Sequence, residues 1–175
     1  DEFFHDQGGY VRTHGANVPN RTMCMLTGAY NVPAYRALCH FRLTNKTPAA
    51  TYRAPGRFES TFVRERLMDS LAVKLGIDRI ELRRRNLITS DQMPFSLNFD
   101  EPGVEDMEID NGDYPQLLDK ALNWLKWDEM EADLECRRAA GEMVGSGIGV
   151  LLKKAARARP MAHVSRSMKM ALLRF

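Results

Sequence analysis

Two arginines flank the proline–glycine turn of "TYRAPGRFES", Arg53 and Arg57, and the chain runs from that turn straight into a helical pattern that opens at Phe58. The first amides of a helix lack intrahelical acceptors and carry the positive end of its dipole, so an arginine beside them makes a place for an anion. A charge-assisted contact from one guanidinium contributes about 1.5 to 3 kcal/mol, and its planar fork matches phosphate and other oxyanions. The plain alternative is an arginine paired with Glu59 or Glu65 on the same helix.

The elements that must hold this turn can be read on both sides of it. Upstream, residues 3–41 mix β-formers with glycine and proline ("GGYVRTHG", "NVPAYRALCHF"), which predicts short strands and loops rather than helix. Downstream, Phe58, Phe62, Val63, Leu67, Met68, Leu71, Ala72 and Leu75 advance by fours, threes and ones, which predicts a helix that buries this set, Leu71 included. Gly76 suits a left-handed helix end, and Asp78 with Glu81 predicts a second helix through Leu87. Residues 89–112 read as a connector. Asp113 and Pro115 then open a helix carrying Leu117, Leu118, Ala121, Leu122 and Leu125, a further helix is expected from Asp128 to Gly141, and "GSGIGVLL" reads as a strand. The predicted class is α+β.

Other candidate chemistries are weaker. The "GSGIGV" glycines have G-x-G-x-G spacing with no preceding strand, so a strand beside another backbone explains them better than a dinucleotide loop. The four histidines, at 5, 14, 40 and 163, show no metal-ligand spacing. His5, His14 and Cys39 read as packing or surface residues. Arg83, Arg84 and Arg85 form a basic run without interleaved aromatics, which predicts a solvated face rather than nucleic-acid binding.

Composition frames these readings. With 44% hydrophobic and 27% charged residues, the 175-residue chain suits a soluble globular protein. No apolar run is long enough to cross a membrane, and an odd count of 3 cysteines with no C-x-x-C pair favours a reducing cytoplasm. Charge is uneven: seven of the 25 basic residues and none of the 23 acidic ones lie in 153–175.

The span from "TGAYNVPAYRALCHF" through "TYRAPGRFESTFVRERLMDSLAVKLGIDRIELRRRNLI" resembles the large, molybdopterin-binding subunit of the xanthine dehydrogenase, aldehyde oxidase and carbon monoxide dehydrogenase family. The motifs are Tyr-Arg-x-x-Gly, a helix with Glu-Arg-x-x-Asp, and Glu-Leu-Arg-x-x-Asn-Leu, and the resemblance covers most of residues 1–152. It implies that residues 1–88 are the end of one molybdopterin-binding lobe, 89–112 a connector and 113–152 the start of a second lobe. It also implies oxidation of an aldehyde or N-heterocycle at a C–H bond with oxygen from water. The implied cofactor is molybdenum on a molybdopterin, in the cytosine dinucleotide form in a bacterial enzyme. Iron–sulfur clusters and FAD would sit on partner subunits or domains. By this resemblance Arg53, Ala54 and Gly56 bind the cofactor, while Arg21 and Pro55 face the substrate.

Some positions depart from relatives within that family. Copper-containing carbon monoxide dehydrogenases place a cysteine where this chain has Ala54, which argues against a copper–molybdenum centre. Purine hydroxylases carry phenylalanine at the position of Pro55. The family's upstream glycine-rich loop and downstream catalytic glutamate have no counterpart, so the chain is expected to be a fragment that is inactive alone. The basic segment 153–175 replaces an acidic, glycine-rich continuation. It is expected to be a frameshifted, non-native extension that lacks packing and leaves the preceding strand with an uncovered edge. A non-catalytic binding or scaffold fragment is the competing functional reading.

Overall fold

The computed structural model describes residues 1–12, 14–97, 108–153 and 167–174. They fall into two compact units, 1–79 and 80–175. The tail residues 154–166 and connector residues 98–107 named above lie outside the described set.

In the first unit, β1 (Glu2–Asp6) pairs in parallel with β2 (Leu38–Arg42), from Glu2 opposite Leu38 to Asp6 opposite Arg42. Parallel strands require a crossover, and here it contains a helix, α1 (Asn17–Cys24). This corrects the expectation of strands and loops alone before residue 41. Pro19 reads as a breaker, yet it stands in the first turn, where helix amides have no intrahelical acceptor to lose. The Thr22 hydroxyl donates back to the Val18 carbonyl at 2.8 Å, and Pro19, Thr22 and Cys24 face inward.

The chain after β2 is tied to the end of β1. The Asp6 carboxylate accepts from Thr44 Oγ1 and Lys46 Nζ, both at 2.6 Å, and from the Gly8 amide at 3.0 Å. Fully buried Gln7 exchanges backbone and side-chain bonds with Ala49, its Nε2 donating to the Ala49 carbonyl at 2.6 Å and its carbonyl accepting from the Ala49 amide at 2.8 Å. These bonds fix the stretch that leads into "TYRAPGR".

The long helix is present as α2 (Arg57–Leu75), ended by left-handed Gly76 (φ 64°) with the Ile77 amide returning to the Ala72 carbonyl at 3.0 Å. Its buried face is not the predicted one. Ser60, Arg64, Glu65 and Ala72 are buried, whereas Phe58, Phe62, Leu67, Leu71 and Leu75 are exposed, Leu71 at 42%. The physical reason is angular. At 100° per residue, Phe58 and Phe62 lie far around the helix from Leu67 and Leu71, so the apolar set never formed one stripe. Positions 57, 60, 61, 64, 65, 68 and 72 do, and Leu71 and Leu75, which share that arc by angle, are exposed all the same.

In the second unit, α3 (Arg79–Asn86) begins one residue after Asp78. Arg83 corrects the solvated-face reading: it is fully buried, and its Nη2 donates to the Ile148 carbonyl at 3.4 Å. It shares the inward side of α3 with buried Ile80 and Leu82, whereas Arg84 and Arg85 are exposed and pair with Asp119 and Glu81. The stretch after it holds a 3-10 turn (Ser90–Gln92), boxed by Thr89 and Gln92, and a short antiparallel pair, β3 (Phe95–Ser96) with β4 (Glu108–Ile109).

Asp113 caps α4 (Tyr114–Leu125) as expected, accepting from the Gln116 amide at 2.9 Å. The helix α5 (Trp127–Ala139) starts from left-handed Lys126 (φ 51°), one residue ahead of the anticipated Asp128. Leu118, Leu134 and Val150 are core residues of this unit. β5 (Ser146–Lys153) pairs antiparallel with β6 (Ser167–Arg174) over its whole length. The expected uncovered strand is thus corrected on that side: "SMKMALLR" alternates enough apolar residues to act as a strand.

Candidate functional site

The turn between the two arginines is built from left-handed residues. Ala54 has φ 49° and Gly56 φ 73°, and the Arg57 amide closes the turn on the Ala54 carbonyl at 3.1 Å. A non-glycine residue held in this region costs on the order of 1 to 3 kcal/mol, so surrounding contacts must impose it. Gly56 shows how. A Cβ added there would stand 2.4 Å from the Thr22 amide nitrogen and 2.6 Å from the Arg21 Cβ, so only glycine lets the turn sit against α1.

That close approach brings residues 21 and 53–57 into one neighbourhood. Arg21, on the last turn of α1, lies against Gly56, and Gly56 is the residue before Arg57. Arg53 is exposed and Pro55 and Ala54 are half-buried. Among the described residues neither Arg53, Arg21 nor Arg57 makes an ion pair with a carboxylate. The alternative pairing with Glu65 is closed off: Glu65 accepts from Tyr30 Oη at 3.1 and 3.2 Å and from Arg64 Nε at 3.1 Å.

Arg57 is the functional candidate that the site assignment left out. It is half-buried, and its Nε is fully buried with no hydrogen-bond partner. Burial, and then the neighbouring charge of Arg21, push its guanidinium below the ordinary arginine value. The signal was its place at the first position of α2; what the sequence did not carry was the presence of α1, which supplies the second cation.

A buried polar clamp holds α2 in place behind the turn. Arg64 Nη1 donates to the Met25 carbonyl at 2.8 Å and Arg64 Nη2 to Thr61 Oγ1 at 3.3 Å, while Nε engages Glu65. Gly28 (φ 59°) leaves room for this guanidinium, since a Cβ there would lie 2.4 Å from Arg64 Cζ. The segment after α1 is thereby bound to the second and third turns of α2. The α2 start itself has no side-chain cap.

Residues 1–87 match the Molybdopterin cofactor-binding domain family. The chain is 41% identical over 159 residues to the 6-hydroxypseudooxynicotine dehydrogenase complex subunit gamma of Paenarthrobacter nicotinovorans, covering 89% of this chain and 19% of that protein. It is 35% identical over 117 residues to the carbon monoxide dehydrogenase large chain of Hydrogenophaga pseudoflava, covering 65% of this chain and 14% of the relative. Quinoline 2-oxidoreductase from Pseudomonas putida 86 superposes with a TM-score of 0.75 at 26% identity, over 87% of this chain and 19% of that one. The chain thus spans about a fifth of the length of these relatives, or less. On motif, fold and match together, the chain belongs to the molybdopterin-binding large-subunit family of the molybdenum hydroxylases.

Proposed function

We propose that this chain is part of a molybdenum hydroxylase large subunit that oxidises an N-heterocycle or an aldehyde at a C–H bond, water supplying the oxygen. The observation that carries the reading is the strained turn at Ala54, docked on α1 by Gly56, inside a segment that matches a molybdopterin-binding family. Its residues fit an oxygen-rich anionic group: among the described residues Arg53 is exposed and makes no ion pair with a carboxylate. Arg53 would hold the molybdopterin cofactor, with the backbone at Ala54 and Gly56 packed beside it, and Arg21 and Pro55 would face the substrate. When bound, that cofactor supplies the two-electron redox chemistry. The chain's own contribution is orientation: the Arg64–Glu65 clamp fixes α2, and Gly56 fixes the turn against α1.

Relatives named for 6-hydroxypseudooxynicotine and quinoline favour a nitrogen-bearing organic substrate over carbon monoxide, in keeping with alanine rather than cysteine at position 54. Relatives are subunits of larger complexes. Partner subunits carrying iron–sulfur clusters and FAD, the cytosine dinucleotide form of the cofactor and a cytoplasmic setting complete the proposal. The test is made in the complete subunit coexpressed with its partners. Arg53→Ala should lower molybdenum and pterin content, or turnover, by about tenfold, as expected for one lost charged contact. Full metal content with unchanged turnover would remove Arg53 from the site. Wild-type complex without molybdenum or pterin would favour the competing reading, a non-catalytic scaffold that keeps the fold.

A further inference from the structure

Arg57 presents a problem in physical chemistry that the cofactor reading does not address. A guanidinium stays protonated in proteins, and a buried charge or donor without a partner is costly. Here the Nε of Arg57 is sealed from solvent with no acceptor, and Arg21 adds a second positive charge rather than a compensating negative one. The nearby acids do not serve. Glu65 is held by Arg64 and Tyr30, and Glu59, exposed in the first turn of α2, makes no ion pair among the described residues. The arrangement is nonetheless imposed: Gly56 admits no Cβ because Thr22 and Arg21 fill the space, so the backbones of residues 21 and 57 cannot separate without undocking the turn.

We propose that Arg57 and Arg21 together form a binding site for a small oxyanion, a phosphate or a carboxylate group, distinct from the contact assigned to Arg53. Two arginines brought together by helix–turn docking supply several N–H donors and two charges to one anion at the half-exposed Arg57 side chain, and that anion would cancel the repulsion between them. A phosphate ester and a substrate carboxylate share this chemistry. The proposal stands apart from the molybdenum reading, because it can fail while Arg53 still governs metal content, and the reverse.

The experiment follows the arginine Nε–H signals of the isotope-labelled 175-residue chain by NMR, during separate titrations with inorganic phosphate and with benzoate at ionic strength held constant with chloride. A saturable shift centred on Arg57 is expected. Arg57→Gln should weaken binding by about tenfold or more and Arg21→Gln by severalfold, the scale of one charge-assisted contact, while Arg12→Gln, an exposed control, leaves it unchanged. Tighter binding of phosphate points to a phosphate ester, and tighter binding of benzoate to a carboxylate. Thermal melts separate this role from a structural one. Without phosphate, Arg57→Gln should be at least as stable as the wild type, because it removes an uncompensated charge; with phosphate, only the wild type should gain stability. Lower stability of Arg57→Gln in the absence of phosphate, equal affinity in Arg57→Gln and wild type, or shifts spread evenly over all arginines would each overturn the proposal.

Discussion

Arg64 and Glu65 are adjacent in sequence, both 6% exposed, and joined to Tyr30 and the Met25 carbonyl. Removing one partner leaves the other charge stranded, which typically costs about 3 to 5 kcal/mol. Glu65→Ala should therefore destabilise the chain on that scale in urea unfolding, whereas Arg66→Ala, exposed beside it, should have little effect. A cost for Glu65→Ala below about 1 kcal/mol would show that the clamp does not hold α2. Asp6 offers a pH test. Hydrogen bonds from Lys46, then from Thr44 and the Gly8 amide, lower its carboxyl from 3.8 to about 2. A depressed folded value means stabilisation that is complete above the unfolded pKa and is lost as pH falls through the folded one. The Tm difference between wild type and Asp6→Asn should therefore be constant above about pH 5 and shrink between pH 4 and about 2. A difference that grows on acidification would contradict these contacts. The long-range pairings here, Tyr30 with Glu65, Arg64 with the Met25 carbonyl, and Asp6 with Thr44 and Lys46, were not legible beforehand, since they join residues that lie 35 to 40 positions apart in the chain.

At the scale of elements, end signals were more informative than periodicity. Gly76 and the Asp113–Pro115 start mark the C-terminus of α2 and the N-terminus of α4 because each acts through its own backbone or nearest amides. The buried face of α2 was misjudged because apolar residues lie on several sides of it, and the packed side is polar. The consequence for mutagenesis is a reversal. Leu71→Ala, at 42% exposure, should now cost less than about 1 kcal/mol in this chain, while Leu118→Ala in α4, at 0%, should cost about 2 to 5. Similar losses at both positions in denaturant unfolding would restore the original assignment of Leu71 to the core. The turn "YRAPGR" was legible as a special conformation from its residues. Its partner α1 was not, because a two-turn helix with proline in its first turn and no capping side chain has almost no local signature.

For the whole molecule, the family and the mixed α and β class were readable from motifs, whereas the strand pairings were not. Strand β6 shows why. Its charge pattern marks 153–175 as unlike the rest of the chain, but pairing depends on alternation and not on net charge, and Ser167–Arg174 lies against β5 throughout. Deleting 167–175 should therefore strip β5 of one neighbour and lower the Tm of the chain. An unchanged or raised Tm would favour the proposal that this segment is a frameshifted extension, which sequencing the DNA across codons 148–175 tests directly. The parallel pairing of β1 with β2 has a different consequence, in time rather than in energy. Glu2 finds its partner only when Leu38 has been made, with all of α1 in between. At roughly 5 to 20 residues per second, the ribosome leaves β1 without its mate for about two to seven seconds. Synonymous codons that slow elongation between Asn17 and Leu38 would lengthen that wait, so the yield of folded protein should respond to translation speed in this window more than in the segment encoding α4 and α5, whose helices meet within a few residues of each other.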